Sequence, residues 1–293
     1  MKVFATGTAG RLGRAIYVRL MKDHTVIGLD RQPCSTTDFV GDLRDEGLVR
    51  SLLGGIDIVV HTAALHAPHV GLVSEDEFVR VNVATTRSLM RAAIDNHIKH
   101  FVFTSTTALY GLASTPAGRT GWVDEHSEPQ PRTIYHKTKI EAEKLLEELS
   151  HESGIPVTVL QVSRCFPEPA DQMAVYRLHR GIDARDVASA HERAIAQRPA
   201  GFHRFIISGA TPFRREQCHE LYTNAAESIE QHVPALAEEF ERRGWSLPPQ
   251  IDRVYDSSAA QRELNWLPQH GFNSVLEILD SGMSEVLPTV RGS

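Results

Sequence analysis

A tyrosine and a lysine one helical turn apart, Tyr135 and Lys139, are the residues of this sequence best suited to acid–base chemistry. Positions i and i+4 of a helix lie on one face, so both side chains emerge together. A phenol with an ordinary pKa of ~10 is too weak an acid to exchange protons efficiently at neutral pH. A neighbouring ammonium stabilises the phenolate, and bringing that pKa to ~7 requires about 4 kcal/mol of differential interaction. The pair predicts proton exchange with a substrate hydroxyl.

Glycines near the start of the chain have the spacing of a phosphate-binding turn. The sequence TGTAGRLG at 6–13 follows an apolar, strand-like run and opens a helical stretch. A turn without side chains lets a pyrophosphate reach backbone N–H groups at a helix N-terminus, where the helix dipole favours negative charge. This context of strand, turn and helix predicts a dinucleotide site. Its residues are Gly7, Thr8, Ala9, Gly10, Arg11, Leu12 and Gly13.

An acidic residue stands where such a site would meet the adenosine ribose. Asp30 ends the second strand-like run, 17 residues after Gly13. A carboxylate there accepts both hydroxyls of the ribose and repels a 2′-phosphate, which favours NAD over NADP. Arg31 leaves NADP open as an alternative, because a cation beside the ribose tolerates the phosphate. Asp30 has a second interpretation, as the start of a turn before Pro33.

Short apolar runs alternate with longer amphipathic ones over the first two-thirds of the chain. The strand-like runs are Val3–Thr6, Thr25–Asp30, Asp57–His61, Phe101–Ser105 and Val157–Val162. The helical stretches between them are Leu12–Lys22, Leu43–Leu53, Glu75–Asn96 and Thr133–Ser153. This alternation predicts a doubly wound parallel sheet, in which ligands bind beyond the carboxyl ends of the strands.

The pattern becomes irregular after Val162. A loop-like segment, Arg164–Asp183, precedes a helix at Ala184–Ala196 and a strand at His203–Ser208. Further helices are expected at Arg214–Ser228, Ala235–Arg243, Ser257–Leu264 and Ser274–Gly282. We predict the α/β class, with a Rossmann-type doubly wound parallel sheet and a small, mostly helical C-terminal substrate-binding annex. The predicted NAD-binding core is 1–163 with 184–209 returning to it, and the predicted substrate-binding region is 164–183 with 210–293.

Further motifs follow one another in the order typical of a single enzyme family. They are TGTAGRLG, Asp30, GDLRD (41–45), HTAA (61–64), Asn82, FTSTTALYG (103–111), YHKTK (135–139), Asp186-Val187 and DSSAAQRELNWLP (256–268). On these residues the chain resembles the extended short-chain dehydrogenase/reductases, the NAD-dependent epimerase/dehydratase family. The resemblance implies an NAD-dependent dehydrogenase or epimerase. It also implies a homodimer formed through the helices at Glu75–Asn96 and Thr133–Ser153.

The same resemblance implies roles for individual residues. From the adenine to the nicotinamide, the cofactor contacts would be Asp42, Leu43, Ala63, Ala64, Tyr135 and Lys139, with Asn82 supporting the helix behind the site. Oxidised nicotinamide would add its positive charge to that of Lys139 in stabilising a phenolate. A third group must hold the substrate oxygen by hydrogen bonding. The family position for it is Thr106, commonly Ser in relatives, and Ser105 is the second candidate.

The segment that follows the strand at Val157–Val162 is short for an enzyme that acts on nucleotide sugars. It lacks the long insert that clamps the nucleotide diphosphate, and its CFPEP run (165–169) resembles uronate dehydrogenases. Those enzymes grip the substrate carboxylate with an arginine, where this chain has Met173. Arg164 or Arg177 is the predicted substitute. Arg177, with Arg180 and Arg185, is also a candidate to bind a phosphate, with ordinary solvated charge as the alternative for these three. In the loop after Asp57–His61, His66 and His69 are predicted to orient a substrate hydroxyl or to be plain polar loop residues.

Composition and charge argue against other classes of protein. The 293 residues are 41% hydrophobic and carry a net charge of −6, which gives no basic field for nucleic acid. No apolar run approaches the ~20 residues of a membrane helix, and no signal-peptide pattern is recognised. Three widely spaced cysteines give no disulfide framework, and the fifteen histidines show no zinc-binding spacing, so no metal is expected. We expect a cytoplasmic protein whose partner is a small-molecule substrate, with no nucleic-acid or membrane partner.

The leading hypothesis is an NAD-dependent oxidoreductase that transfers a hydride between nicotinamide and a carbinol or carbonyl carbon. Its substrate would be a small sugar, sugar acid or related polyol, with Tyr135 as the acid/base. The alternative is an NAD-retaining sugar or nucleotide-sugar epimerase or dehydratase. A non-catalytic dinucleotide sensor ranks third, because a sensor needs only the binding half and not the tyrosine, lysine and hydroxyl.

Overall fold

Seven parallel strands form the main sheet of the protein, whose computed structural model describes residues 1–289. Including two strands outside this sheet, the strands within residues 1–289 are β1 (Lys2–Thr6), β2 (Thr25–Asp30), β3 (Phe39–Val40), β4 (Ile58–His61), β5 (His100–Thr106), β6 (Gly121–Val123), β7 (Val157–Val162), β8 (Phe202–Ile207) and β9 (Arg253–Tyr255). The order in the main sheet is β3-β2-β1-β4-β5-β7-β8, while β6 and β9 form a separate parallel pair. The predicted Rossmann-type fold is confirmed.

Helices cover both faces of the main sheet. They are α1 (Arg11–Leu20), α2 (Glu46–Leu52), α3 (Glu75–Val79), α4 (Thr85–Asp95), α5 (Ile134–Ser153), α6 (Ala170–Tyr176), α7 (Ala184–Gln197), α8 (Cys218–Thr223), α9 (Ala225–His232), α10 (Pro234–Arg243), α11 (Ser258–Glu263) and α12 (Phe272–Asp280). Side chains alternate across each strand, so Val3 packs toward α1 and α7, whereas Phe4 packs toward α4 and α5. Each face therefore has its own apolar layer, which is why the strands read as continuous apolar runs.

The sheet and the helices next to it follow the predicted boundaries closely. Strands β2 and β7 have the predicted limits, and α5 begins after Thr133, whose hydroxyl accepts a hydrogen bond from His136 N at 3.3 Å. The predicted helix Glu75–Asn96 contains a π-helical turn at Arg80–Ala84, between α3 and α4. The short strands β3, β6 and β9 were not predicted, because two or three residues carry no recognisable alternation.

Two predictions after β7 were wrong. The segment Arg164–Asp183 was expected to be a loop but contains α6, and the single helix expected at Arg214–Ser228 is divided at Asn224 into α8 and α9. Helix α6 is short and starts directly after Pro169, so its local signal is weak. Its apolar face, Ala170, Met173 and Ala174, is buried against the C-terminal helices. Burial against distant residues thus stabilises a helix that local helix propensity alone does not predict.

A second apolar cluster lies outside the two layers of the main sheet. It joins α6 to α8, α9, α10 and α12, with Leu221, Ile229, Phe240 and Leu276 among its buried side chains. Hydrogen bonds connect this region to the core, among them the β6–β9 pair and those of Asp186 of α7, which accepts from Gln269 N at 2.8 Å and His270 N at 2.9 Å. Within residues 1–289, no helix is long and apolar enough to cross a membrane.

Candidate active site

A cleft of about 660 Å³ opens beyond the carboxyl ends of β1, β2, β4, β5 and β7. Parallel strands end at the same edge of a sheet, so residues that are far apart in sequence line this one cleft. Most of the predicted cofactor residues lie in its wall: Gly7, Ala9, Gly10, Arg11, Leu12, Gly13, Asp30, Arg31, Asp42, Leu43, Ala63, Ala64, Tyr135 and Lys139. Thr8 is buried below the turn, where its hydroxyl lies 3.2 Å from that of Thr37.

The glycine-rich turn is packed too tightly for larger residues. Gly7 has a φ of +73°, and a Cβ added there would lie 2.7 Å from Ala63 N. A Cβ on Gly13 would lie 2.0 Å from Gly7 O, so the start of α1 rests directly on the turn. These glycines let β1, the turn and α1 form a cradle whose backbone is exposed to the cleft.

Asp30 connects the glycine-rich turn to the end of β2. Its carboxylate accepts hydrogen bonds from Ala9 N at 3.0 Å and from Gln32 N at 2.9 Å. An ionised carboxylate offers about four lone-pair directions, so acceptor capacity remains for the two hydroxyls of a ribose. Further along the cleft, the hydrogen bonds from Arg44 hold the pKa of the Asp42 carboxyl below its usual range. These positions fit the adenosine half of a dinucleotide.

Tyr135 and Lys139 project from the first turns of α5 into the inner wall of the cleft. They are 8% and 2% exposed. The Lys139 Nζ donates to Thr104 O at 2.8 Å and lies 4.1 Å from the centroid of the Phe103 ring. Burial lowers the pKa of Lys139 to about 7, against the opposing effect of Glu143. Loss of hydration penalises the ammonium more than that carboxylate stabilises it.

The pKa of the Tyr135 phenol is shifted in the opposite direction to the one expected from the sequence. Burial raises its pKa to about 12, while the Thr106 hydroxyl, within hydrogen-bonding reach, acts in the opposite direction. Desolvation of the phenolate therefore outweighs the stabilisation that the lysine was expected to give. In the chain by itself Tyr135 is a proton donor at neutral pH, and a further positive charge in the cleft is needed to make it a base.

The two candidates for the third hydroxyl are directed differently. Thr106 lines the cleft beside Tyr135, and its Oγ1 accepts a hydrogen bond from Ala108 N at 3.1 Å. Ser105 donates to the buried carboxylate of Glu143 at 2.5 Å. A hydroxyl proton used in that bond is not offered to a substrate. The geometry favours Thr106, the first candidate.

Glu143 was not singled out from the sequence. It lies one helical turn after Lys139, so Tyr135, Lys139 and Glu143 share one face of α5. Its buried carboxylate also accepts from Gln161 Nε2 at 3.0 Å and Arg204 Nε at 3.1 Å, and burial raises its pKa. The repeated i, i+4 spacing was the available signal. A buried polar network therefore stands directly behind the catalytic candidates.

Asn82 supports the site from behind. It belongs to the π-helical turn, and its side chain pairs with both backbone groups of Leu65, accepting from the N–H at 2.8 Å and donating to the carbonyl at 2.9 Å. Its Nδ2 also donates to Thr138 Oγ1 of α5 at 3.2 Å. The loop after β4 is thereby tied to the helix that carries Tyr135. This is the position that the family resemblance implied.

The predicted substrate residues are not brought together. His66 lines the cleft, with His69 behind it at a ring-centroid distance of 4.6 Å. Arg177 is buried, and its guanidinium donates to Asp183 at 3.0 Å. Arg164 is partly exposed and paired with Glu168. Neither arginine belongs to the lining of the cleft, whereas Ser163 and Phe166, which were not predicted, do.

No group of three or more His, Cys, Asp or Glu side chains within residues 1–289 is arranged to hold a metal ion. Met173 lies in the apolar cluster of the annex and not at the cleft. The position at which uronate dehydrogenases carry an arginine therefore does not face the substrate end.

Comparison with known proteins extends these observations. The sequence model of the NAD-dependent epimerase/dehydratase family matches residues 3–175, which is more than half of the chain. A Bacillus subtilis protein named "Uncharacterized UDP-glucose epimerase YtcB" is 28% identical over 206 residues, covering 61% of this chain and 61% of the relative. L-arabinose 1-dehydrogenase (NAD(P)+) of Haloferax volcanii is 29% identical over 170 residues, covering 55% and 66%. The matched segments thus span less than two thirds of either relative.

The fold is also that of solved structures. A short-chain dehydrogenase/reductase superfamily protein from Agrobacterium tumefaciens, crystallised with bound NAD, superposes with a TM-score of 0.72 at 19% identity. The superposition covers 96% of this chain and 96% of that protein. Agreement over almost the whole length of both chains includes the annex as well as the sheet.

Proposed function

Because this chain belongs to the NAD-dependent epimerase/dehydratase family, we propose that it is an oxidoreductase that uses NAD on a small sugar, sugar acid or related polyol. The reaction exchanges a hydride between nicotinamide and a carbinol or carbonyl carbon, with Tyr135 as the acid/base. The observation that carries the proposal is the convergence of Tyr135, Lys139 and Thr106 on one wall of the cleft.

The residues present fit a bound dinucleotide. The glycine-rich turn and the N-terminus of α1 suit the pyrophosphate, and Asp30 suits the adenosine ribose. Lys139, Ala63 and Ala64 line the same cleft, where Lys139 would contact the nicotinamide ribose and the two small alanines would leave room for the ring. When bound, NAD accepts the hydride that leaves the carbinol carbon and, in its oxidised form, brings a positive charge into the cleft.

Side chains of the protein carry out the proton transfer. In the oxidation, Tyr135 Oη takes the proton of the substrate hydroxyl as the carbinol becomes a carbonyl. Lys139 in its ammonium form would stabilise the phenolate, and burial, which lowers the pKa of Lys139 to about 7, acts against that charge. The Thr106 hydroxyl donates a hydrogen bond to the substrate oxygen as negative charge develops on it. In the reverse direction Tyr135 donates the proton.

The test is to incubate the purified protein with NAD and a panel of aldoses, sugar acids and polyols while following NADH absorbance. We expect net NADH with at least one compound. Tyr135→Phe keeps the ring but loses the proton, so turnover should fall by about two to four orders of magnitude. Tyr222→Phe, which alters a tyrosine away from the cleft, is the matched control. Unchanged turnover in Tyr135→Phe would refute the acid/base assignment.

An epimerase or dehydratase that retains its NAD is the second candidate. It is favoured by the match to the protein named as a UDP-glucose epimerase. Such an enzyme returns the hydride within one turnover, so product forms without a lasting change in NADH absorbance. Following the products by NMR beside the absorbance separates the two candidates.

A further inference from the structure

We propose that the substrate end of the cleft accepts an uncharged, polyhydroxylated compound, such as a neutral aldose, and that the Ser163 hydroxyl binds one of its hydroxyls. This inference rests on the proposed function and narrows its substrate class. It excludes sugar acids, sugar phosphates and nucleotide sugars, all of which are anions. Four observations support it.

The first observation is the distribution of charge along the cleft. Three of its arginines belong to the segments that form the dinucleotide part: Arg14 on α1, Arg31 after β2, and Arg44 before α2. Arg11, at the start of α1, reaches Cys165 beside the substrate end, but its guanidinium is paired with Glu285. The other cation there is Lys139, whose ammonium is already bonded to Thr104 O. A carboxylate or phosphate would enter without a free cation to pair with.

The second observation concerns the nearest groups that might supply a positive charge. Arg177 is buried outside the cleft lining and donates to Asp183, a carboxylate that it shares with Arg185, while Arg164 is paired with Glu168. Burial and the neighbouring His69 lower the pKa of His66, which disfavours its imidazolium form. A neutral imidazole exchanges hydrogen bonds with hydroxyls but does not neutralise an anion.

The third observation is an unpaired hydroxyl in the wall. Ser163 follows β7 directly, is 4% exposed and lines the cleft. Its Oγ has no hydrogen-bond partner among residues 1–289. Its N–H donates to Ile207 O at 2.9 Å, which continues the strand ladder and keeps Ser163 on the same face as Gln161. Gln161 contacts α5, so Ser163 faces the side that carries Tyr135.

A buried hydroxyl without a partner is costly unless a ligand satisfies it. A polyol supplies groups that both donate and accept, as the hydroxyl of Ser163 does. An apolar alcohol would leave Ser163 unsatisfied in the complex. The orphan hydroxyl therefore favours a ligand with several hydroxyls over an aliphatic one.

The fourth observation is an aromatic surface at the mouth of the cleft. The rings of His66 and Phe166 are nearly parallel, at 18°, with centroids 6.2 Å apart. Phe166 is 44% exposed although it is a large apolar side chain. Such a surface suits the C–H face of a sugar ring, and the Arg164 guanidinium, 5.9 Å from the Phe166 centroid, is already paired with Glu168. Neutral hydroxyl partners and an aromatic surface together define a site for a neutral sugar.

The experiment measures binding separately from turnover. Tyr135→Phe loaded with NAD is titrated by calorimetry with D-glucose, D-galactose and L-arabinose. Parallel titrations use glucuronate, galacturonate, glucose 6-phosphate and UDP-glucose. We expect at least one neutral sugar to bind at least about tenfold more tightly than any anion, because a buried unpaired charge is strongly penalised. Equal or tighter binding of an anion overturns the inference, and so does a failure of all neutral sugars to bind.

Ser163→Ala tests the hydroxyl contact, with Ser208→Ala as the matched control. Ser208 Oγ is also buried without a partner, but it lies outside the cleft lining. We expect Ser163→Ala to raise the Kd and the KM of the neutral sugar by about three- to tenfold and Ser208→Ala to leave both unchanged. Equal effects of the two substitutions contradict a direct contact. Failure of the proposed function is distinguishable, because then NAD itself would not bind, or neither set of compounds would react.

Discussion

At the scale of single residues, burial decides the chemistry more than proximity does. Tyr135 and Lys139 have the spacing of an acid–base pair, yet the protein environment shifts both groups toward their neutral forms. Desolvation penalises each charged form, the phenolate and the ammonium. A positive charge beside Tyr135, such as that of oxidised nicotinamide, would lower the pKa of its phenol.

Asp30 offers a test of cofactor selectivity at this scale. Asp30→Ala removes the acceptor for the ribose hydroxyls and also the negative charge that repels a 2′-phosphate. We expect the Kd for NAD to rise by about tenfold or more, and the Kd for NADP to rise less or to fall. Fluorescence titration of NADH and NADPH measures both.

Because Asp30 also accepts from Ala9 N, Asp30→Asn is the matched variant that retains the oxygen acceptor. It should preserve the turn while losing the charge. An equal loss of NAD and NADP affinity in Asp30→Ala would contradict the assignment to the ribose.

At the scale of elements, the turn between β1 and α1 and the face of α5 position the site. The turn lies against the end of β4, since Gly7 reaches Ala63, while α5 presents Tyr135, Lys139 and Glu143 toward β5. The π-helical turn before α4 directs Asn82 to the loop after β4. Three separate elements therefore meet through short polar contacts, and a shift in any one would displace the others.

Gly13→Ala tests the contact between the turn and α1. The added Cβ would lie 2.0 Å from Gly7 O, which is backbone and has no flexible end to move. We expect NAD affinity to fall by at least about tenfold, with a stability loss of about 1–3 kcal/mol. Gly47→Ala in α2, where the nearest atom is at 3.4 Å, is the control and should be neutral or slightly stabilising. Calorimetry for binding and urea unfolding for stability give the two values, and intact NAD binding in Gly13→Ala would contradict the role of the turn.

At the scale of the whole molecule, the annex and the sheet are joined by polar contacts at several points. Arg11 of the glycine-rich turn pairs with Glu285 at 2.5 Å, and His270 pairs with Asp186 of α7 at 2.8 Å. The C-terminal segment thereby reaches the edge of the cofactor cleft. The homodimer implied by the family resemblance stays a prediction, which light scattering of the purified protein would measure.

Buried histidines give the whole molecule a predicted sensitivity to acid. Burial lowers the pKa of His61 to about 3, of His100 to about 3 and of His191 to about 4. Their unfolded pKa is ~6.5, so the unfolded chain binds more protons below that value and stability falls as the pH drops. We expect a loss of about 2 kcal/mol per histidine between pH 7 and pH 5. Urea unfolding at both values measures it.

His100→Gln removes one of these titratable groups. The Nε2 of His100 lies 2.9 Å from Thr158 Oγ1, and the glutamine side chain keeps a polar partner for that hydroxyl. The variant should lose less stability than the original chain over the same interval. Equal stability at pH 7 and pH 5 in the original chain would contradict the account of the buried histidines.

Local spacing was enough to predict the fold class, the sheet strands of ordinary length and the candidate cofactor residues that line the cleft. Glycines 7, 10 and 13, Asp30 and the Tyr135–Lys139 pair all depend on the period of a helix or on a turn next to a strand, and these are properties of neighbouring residues. The short strands and α6 escaped prediction, because their stability comes from partners distant in the chain.

Only the tertiary structure decided which polar groups face the cleft and which are already paired. Arg177 looks like an anion ligand in the sequence, but inside the protein it is buried and donates to Asp183, which Arg185 also contacts. Ser105 and Thr106 are adjacent, chemically alike and both line the cleft, yet the Ser105 hydroxyl is bonded to Glu143, whereas the Thr106 hydroxyl is directed toward Tyr135. Ser163 is a candidate substrate contact because its Oγ has no hydrogen-bond partner among residues 1–289. Burial and hydrogen-bond pairing depend on residues distant in the chain. The sequence alone therefore predicted the family and its cofactor, whereas only the folded chain shows which polar groups at the cleft are already paired.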